Sequence, residues 1–385
     1  MMRRVCIVTG TRAEWGLLSP IAHRLKLHSD VELQIVATNM HLMECYGMTV
    51  NEIEADGFIV NHRVPINTGL ATSSDVAYAT GQCLSGMAQA FKQLCPDMVV
   101  ILGDRTEMLA VASAALIMRI PIVHLHGGEE SQGAIDNSIR HAITKMASLH
   151  LTATEPYRQR VIQMGENPDN VINTGAMGVY NCIHEPVMSR EELQKQLGIE
   201  ISDRSLLVTY HPATLDTAPA TTRFQALLQA IDSTEHGSVI FTYPNNDASG
   251  REIIDLISRY VATHAENTTA VPSLGKHRYL SALHYVGAVV GNSSSGIIEV
   301  PSMHVPTVDI GIRQQGRIAS DSVIHCGDSA HEIANAIAFA LSPQGKELAK
   351  NAENPYGSPD TLEKCVKAIT ETSIDSLTTK IFHSL

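Results

Sequence analysis

No run of apolar residues in this 385-residue sequence approaches the roughly 18 that a membrane-crossing helix needs. The opening MMRR-VCIVTG has the charge of a leader, but its apolar stretch runs within a few residues into Arg12 and Glu14 and reads as a first strand. Cysteine pairing is also missing. The seven cysteines (Cys6, Cys45, Cys83, Cys95, Cys182, Cys326, Cys365) are odd in number, scattered and without C-x-x-C spacing. That argues against a structural zinc site and fits free thiols in a reducing cytoplasm. Charged residues are scarce at 18%, net charge is −12, and no basic block occurs, which excludes a nucleic-acid or anionic-membrane surface. An anionic substrate would need a local positive pocket. Aromatics make up only 4%, so a core has to come from Val, Ile, Leu, Ala and Met, as in parallel sheets covered by helices. Neither a full G-x-G-x-x-G nor the eight-residue phosphate loop is present.

What is there alternates. Strand-like runs at Val5–Val8, Leu33–Ala37, Met98–Leu102, Pro121–Leu125, Leu149–Thr152 and Val171–Thr174 are separated by helical periodicity over about Glu14–His28, Val76–Leu94, Glu107–Met118, Ile139–Met146 and Glu155–Met164. Asn181–Glu200 is polar, broken by Pro186, with a capped helix start at Ser189. Alternation resumes at Leu206–Thr209, Val239–Tyr243, Ala270–Val271, Ala288–Val290, Thr307–Ile310 and Val323–Ile324. Beyond the break at Pro355–Pro359, a last helix over about Leu362–Thr372 suits either half. The pattern predicts an α/β protein of two Rossmann-like doubly wound domains, residues 1–180 and 181–360, with a ligand cleft between them and a C-terminal segment 361–385.

In such folds the turns after strands face the ligand. Thr9-Gly10-Thr11-Arg12 is either a small tight turn with a solvated Arg or an anion site with a fixed charge. In Gly103-Asp104-Arg105, Asp104 is a candidate N-cap or an acid–base group. The run His124-Leu125-His126-Gly127-Gly128-Glu129-Glu130, followed by Asp136 and Arg140, makes poor packing material and good acid–base equipment. A metal is the rival reading there, but His124 and His126 alternate across a strand end and would point apart, so no metal is expected. Tyr210-His211-Pro212 presents His211 at a strand end, structural or functional. Gly291-Asn292-Ser293-Ser294-Ser295-Gly296 leads from a strand into a helix with open N–H groups and hydroxyls. Glu299 can accept from a ribose diol, and Arg313, with Arg317 beyond, offers a diphosphate its positive partners.

Together, Thr-Gly-Thr-Arg-Ala-Glu, Gly-Asp-Arg-Thr-Glu, His-Leu-His-Gly-Gly-Glu, Ile-Arg-His-Ala-Ile-Thr-Lys, Tyr-His-Pro-Ala-Thr and Gly-Asn-Ser-Ser-Ser-Gly-Ile-Ile-Glu-Val-Pro resemble, in order and over about residues 5–317, the hydrolysing UDP-N-acetylglucosamine 2-epimerases. The likeness is strongest to the bacterial enzymes that open sialic acid synthesis for capsules and surface glycans. The resemblance implies the glycosyltransferase B architecture, with the C-terminal helix returning to the first domain. It implies conversion of UDP-N-acetylglucosamine and water to N-acetylmannosamine and UDP, by anti elimination to 2-acetamidoglucal and then hydration, without a cofactor. By position, Asp104, Asp136 and His211 match residues implicated in catalysis. Arg12 matches a phosphate-side arginine, and Ser293, Ser294, Glu299 and Arg313 match nucleotide contacts, with Ser295 beside them. Many relatives carry Glu where this chain has His126, so either His126 or Glu129 takes that Glu's role. A GDP-linked substrate of the legionaminic acid route and a retaining glycosyltransferase of the same fold stand as alternatives. A homodimer or homotetramer, soluble in the cytoplasm, is expected.

Overall fold

In a computed structural model the chain is described over residues 2–66, 72–213, 215–216, 218–245 and 249–384. Thr214, the last residue of the Tyr-His-Pro-Ala-Thr motif, lies outside them. Among the described residues the β-branched runs form thirteen strands. Seven belong to the first sheet: β1 (Arg3–Thr9), β2 (Val31–Thr38), β3 (His62–Val64), β4 (Met98–Leu102), β5 (Ile122–Leu125), β6 (Leu149–Thr152) and β7 (Val171–Asn173). Six form the second: β8 (Leu206–Thr209), β9 (Val239–Thr242), β10 (Thr268–Val271), β11 (Ala288–Gly291), β12 (Thr307–Ile310) and β13 (Val323–Cys326). Every pairing among the described residues is parallel.

Both faces of each sheet are covered, which explains why the strands are apolar throughout rather than alternating. In β4, Met98, Val100 and Leu102 join the core on one face, while Val99 and Ile101 join the core on the other. In β8, Leu206 and Val208 face one layer and Leu207 the opposite one.

Strand order decides where chemistry can sit. The sheets run β3-β2-β1-β4-β5-β6-β7 and β10-β9-β8-β11-β12-β13. In each, the order reverses beside the first strand, between β1 and β4 and between β8 and β11. The carboxyl ends at such a reversal open a crevice. The turns there carry Gly10–Arg12 and Gly103–Arg105 in one domain, and His211 and Asn292–Ser295 in the other.

The helix Met177–His184 links the two domains. Met177 packs in the first domain's core, Val179 packs with Ile297 and Ile298, and Asn181 Nδ2 donates to Gly16 O at 2.8 Å. The helix Thr361–Glu371 lays Leu362, Cys365, Ala368 and Ile369 against Leu18, Ile21 and Leu25 of the helix Arg12–Lys26. Arg3 Nη2 donates to Thr372 O at 2.8 Å, closing that helix's exposed carbonyl end.

Candidate active site

Residues of both domains line one cleft of about 300 Å³, among them Arg12, His211, Ser293, Ser294, Ser295, Glu299 and Arg313. On the first-domain wall, Thr11 caps the helix Arg12–Lys26 by accepting from Glu14 N at 3.2 Å. Arg12 pairs with Glu52, and its Nη1 donates across the cleft to Ser273 O at 3.2 Å. The turn after β1 is therefore more than a solvated arginine, because its guanidinium spans the two domains.

Beneath this turn two buried glutamates meet. Glu107 takes hydrogen bonds from Asn39 Nδ2 at 2.7 Å and Arg105 Nε at 2.9 Å. Burial alone would raise its carboxyl, but Arg105 and Asn39 hold it below the ordinary range. Glu14 accepts from Gly10 N at 2.7 Å through Oε2, and its Oε1 has no partner among the described residues. Burial, and then the Glu107 charge, push Glu14 up to about 8 from an ordinary 4.5. Because this folded-state pKa is raised, its contribution to stability is complete below pH 4.5 and is lost as pH rises through about 8. Glu14→Gln is thus expected to melt like the wild type at the acid end of this window and above it at pH 8 to 9. Parallel melting curves at both ends of the window would disprove a protonated Glu14.

On the second-domain wall, Asn292 organises three groups. Its Oδ1 accepts from His211 N at 2.7 Å and its Nδ2 donates to His211 O at 2.8 Å. Its carbonyl accepts from Arg313 Nη1 at 3.0 Å and Gln314 Nε2 at 2.8 Å. His211 Nδ1 accepts from Asn245 N at 3.1 Å, which puts the ring proton on Nε2. Burial, then Arg313 and Arg105, lower its pKa well below the usual histidine value. His211 is a neutral donor at physiological pH, not a cation. Ser293 stands at the start of the short helix Ser294–Ile298 without capping it by its side chain, while Ser295 shares a 2.5 Å hydrogen bond with the Tyr279 hydroxyl. Glu299 follows, half-buried, with its buried Oε2 lacking a partner among the described residues. Burial raises its carboxyl, against the Ser295 hydroxyl. Its carboxylate lies over Gly178, where any Cβ would collide with it. A side chain so enclosed, with one open acceptor, suits a hydroxyl donor.

Asp104, His126, Glu129 and Asp136 are not among the residues lining this cleft. The first three belong to a buried cluster on the first domain. Asp104 is not an N-cap, since Arg105 holds that position for the helix Thr106–Ile117. Its carboxylate instead pairs with the fully buried Arg140, whose Nη1 donates to Glu129 O and Nη2 to Ser131 Oγ, both at 2.9 Å. Glu129 lies between two partners: His126 Nδ1 at 2.6 Å on Oε1 and Arg317 Nη2 at 2.9 Å on Oε2. Burial would raise its carboxyl, but Arg317 and His126 hold it below the ordinary range. His126 takes φ 65° at the end of β5, a left-handed conformation uncommon for histidine and frequent at functional sites. Asp136 is half-buried at the start of the helix Asp136–Met146. His124 turns away from His126: its Nε2 shares 2.7 Å with Gly103 O, and burial takes it down to about 3. Among the described residues no group of three His, Cys, Asp or Glu side chains could hold a metal ion.

Second-domain residues cover this cluster. Gln132 N donates to Gln315 O at 3.1 Å, and Arg317 Nε to Glu130 O at 2.9 Å. The side chain of Arg317, which the sequence suggests as a diphosphate partner, is enclosed against Glu129 instead. Sequence reasoning gave no role to Arg140, Asn292, Tyr279 or Arg105. Arg140, Asn292 and Arg105 sit inside the motifs that carry the resemblance, and that placement was the available signal. Tyr279 lies in no motif.

The architecture is that of the two-domain glycosyltransferase B class, with two Rossmann-like sheets facing a shared cleft. The chain belongs to the UDP-N-acetylglucosamine 2-epimerase family, whose model matches residues 23–370. It is 39% identical over 322 residues to the GDP/UDP-N,N'-diacetylbacillosamine 2-epimerase (hydrolyzing) of Campylobacter jejuni, covering 84% of each chain. It is 36% identical over 369 residues to the UDP-N,N'-diacetylbacillosamine 2-epimerase (hydrolyzing) of Legionella pneumophila, covering 96% of each. The fold superposes on the crystal structure of the Neisseria meningitidis UDP-GlcNAc 2-epimerase bound to UDP-GlcNAc with a TM-score of 0.78, at 17% identity, covering 96% of this chain and 100% of that one. No helix among the described residues is long and apolar enough to cross a membrane.

Proposed function

We propose that this epimerase is hydrolysing: it takes a UDP-linked 2-acetamido sugar and water and releases UDP and the C2-inverted free sugar. For UDP-N-acetylglucosamine the product is N-acetylmannosamine, the starting sugar of sialic acid synthesis. Residues 181–360 bind the nucleotide and residues 1–180 carry the acid–base groups, with 361–385 anchored on the first domain. The observation that carries this reading is the division of labour across one cleft. Arg313, the serine turn and the open acceptor of Glu299 stand on one side. The Asp104, His126 and Glu129 cluster stands beside the other.

The chemistry follows from these parts. Loss of the C2 proton and departure of UDP leave a C1–C2 double bond, and water then adds at C1 while a proton returns to the opposite face of C2. That demands two groups on opposite sides of the sugar, for which Asp104, His126 and Asp136 are the candidates. Arg12 and Arg313 balance the diphosphate, and neutral His211 donates through Nε2 without competing for a proton.

The two relatives named for diacetylbacillosamine favour a second substrate, a diacetylated diamino sugar, and one of those names includes GDP as well as UDP. Incubating the purified chain separately with UDP- and GDP-N-acetylglucosamine and with UDP-diacetylbacillosamine, then identifying the sugar and nucleotide released, separates these readings. Free N-acetylmannosamine and UDP are the expected products. A 2-epimer that stays attached to UDP would overturn hydrolysis.

A further inference from the structure

Two buried tyrosines join the domains outside the cleft. Tyr157 stands on the first-domain helix Glu155–Gln163, and Tyr356 lies where the chain returns to the first domain ahead of the helix Thr361–Glu371. Both are fully buried. Their hydroxyls lie 2.9 Å apart, and both reach one second-domain residue, Ile318. Ile318 N can only donate, and it donates to Tyr157 Oη at 2.9 Å. Ile318 O can only accept, and it takes the Tyr356 proton at 2.8 Å. The Tyr157 proton therefore points at Tyr356 Oη, and three hydrogen bonds close a ring with no hydroxyl proton left over. Phenylalanines would fill the same space without burying two hydroxyls, so what the ring adds is fixed geometry.

Ile318 ends the loop that follows β12, and that loop carries Arg313 to the cleft. The start of the loop is held by Gly311 N, which donates to Cys326 O at 3.0 Å. Between these anchors Arg313 reaches Asn292 O at 3.0 Å, and Arg317 reaches Glu129 at 2.9 Å. Tyr157 also meets the turn after β5: a Cβ on Gly128, at φ 80°, would lie 2.5 Å from Tyr157 O. Tyr356 O accepts from Ala176 N at 3.1 Å, just before the helix Met177–His184 that links the domains. The ring thus ties both chain crossings to one end of the loop that bears Arg313. We infer that Tyr157 and Tyr356 are positioning residues whose hydroxyl ring fixes Ile318 and so aims Arg313 at the diphosphate. The inference rests on the hydrolysing-epimerase reading, which gives Arg313 that partner.

The test is UDP titration calorimetry on the full chain, with Tyr157→Phe and Tyr356→Phe each measured alone and combined with Arg313→Ala. Tyr157→Phe strands the Ile318 N–H and Tyr356→Phe strands its carbonyl, so either opens the ring while keeping the aromatic packing. Each is expected to weaken UDP binding by about tenfold. In the Arg313→Ala background the same substitutions should cost less than about twofold, because the side chain they aim is gone. A pair that only held the fold together would lower Tm without this dependence on Arg313. UDP affinity within about twofold of wild type in both single variants, or an equal loss with and without the Arg313 side chain, overturns the positioning role and leaves the reaction untouched. Wild-type enzyme that does not bind UDP overturns the proposed function itself.

Discussion

Asp136→Asn is expected to lose turnover by roughly 10²-fold or more while keeping the wild-type melting temperature and UDP affinity, as a proton-transfer group should. Asp104→Asn should fail differently. The Asp104 carboxylate is the acidic partner of Arg140, a guanidinium at the centre of the first domain's cluster and fully buried. Removing one member of a buried pair typically costs about 3–5 kcal/mol, and an asparagine that still accepts a hydrogen bond should fall at or below that range. Asp104→Asn should therefore lower Tm by several degrees as well as abolishing most turnover. Thermal melts with initial rates on both variants separate the two expectations. If Asp104→Asn melts with the wild type and turns over normally, neither the pair nor the acid–base role stands.

On the nucleotide side, Arg313→Ala and Glu299→Ala should weaken UDP binding with a smaller effect on the chemical step. Charge-assisted hydrogen bonds contribute about 1.5–3 kcal/mol, a tenfold to hundredfold loss of affinity. Arg313 is aimed by Asn292 O at 3.0 Å, and Glu299, which lines the cleft, has a buried carboxylate oxygen without a partner among the described residues. A structural control follows from Gly178, where a Cβ would displace the Glu299 carboxylate. Gly178→Ala should resemble Glu299→Ala in titration calorimetry. Unchanged affinity in both Arg313→Ala and Glu299→Ala would remove this end of the cleft from the nucleotide site.

The strands were legible because they are buried on both faces. Met98–Leu102, Leu149–Thr152, Leu206–Thr209 and Thr307–Ile310 occupy the bounds their apolar runs suggest. β3, only three residues at the sheet edge, gives too short a run to stand out. The helix Ser73–Leu94 starts before its apolar periodicity because Thr72 and Asp75 form a reciprocal capping pair, and polar capping residues carry no hydrophobic signal. Met177–His184 was hidden for another reason. Its buried side belongs to two domains at once, so part of it reads as a polar connection.

The cleft residues were visible as turns after strands, where a parallel sheet presents its ligand. The partners of those residues were not. Nothing in the spacing of Asp104 and Arg140, or of Glu129 and Arg317, announces contact, since each pair closes only when distant turns meet. The same meeting turns Arg317 from an apparent phosphate ligand into the counter-ion of Glu129.

Elimination followed by hydration makes a claim about two atoms, and one reaction in deuterium oxide enriched in ¹⁸O tests both. The C2 proton leaves to the enzyme and its replacement comes from solvent, while water attacks C1. The released sugar should carry deuterium at C2 by NMR and the ¹⁸O label at C1, with UDP unlabelled by mass spectrometry; since free sugars exchange their anomeric oxygen, the mass is read immediately after quenching. Hydrogen retained at C2, or ¹⁸O found on UDP, would contradict the mechanism.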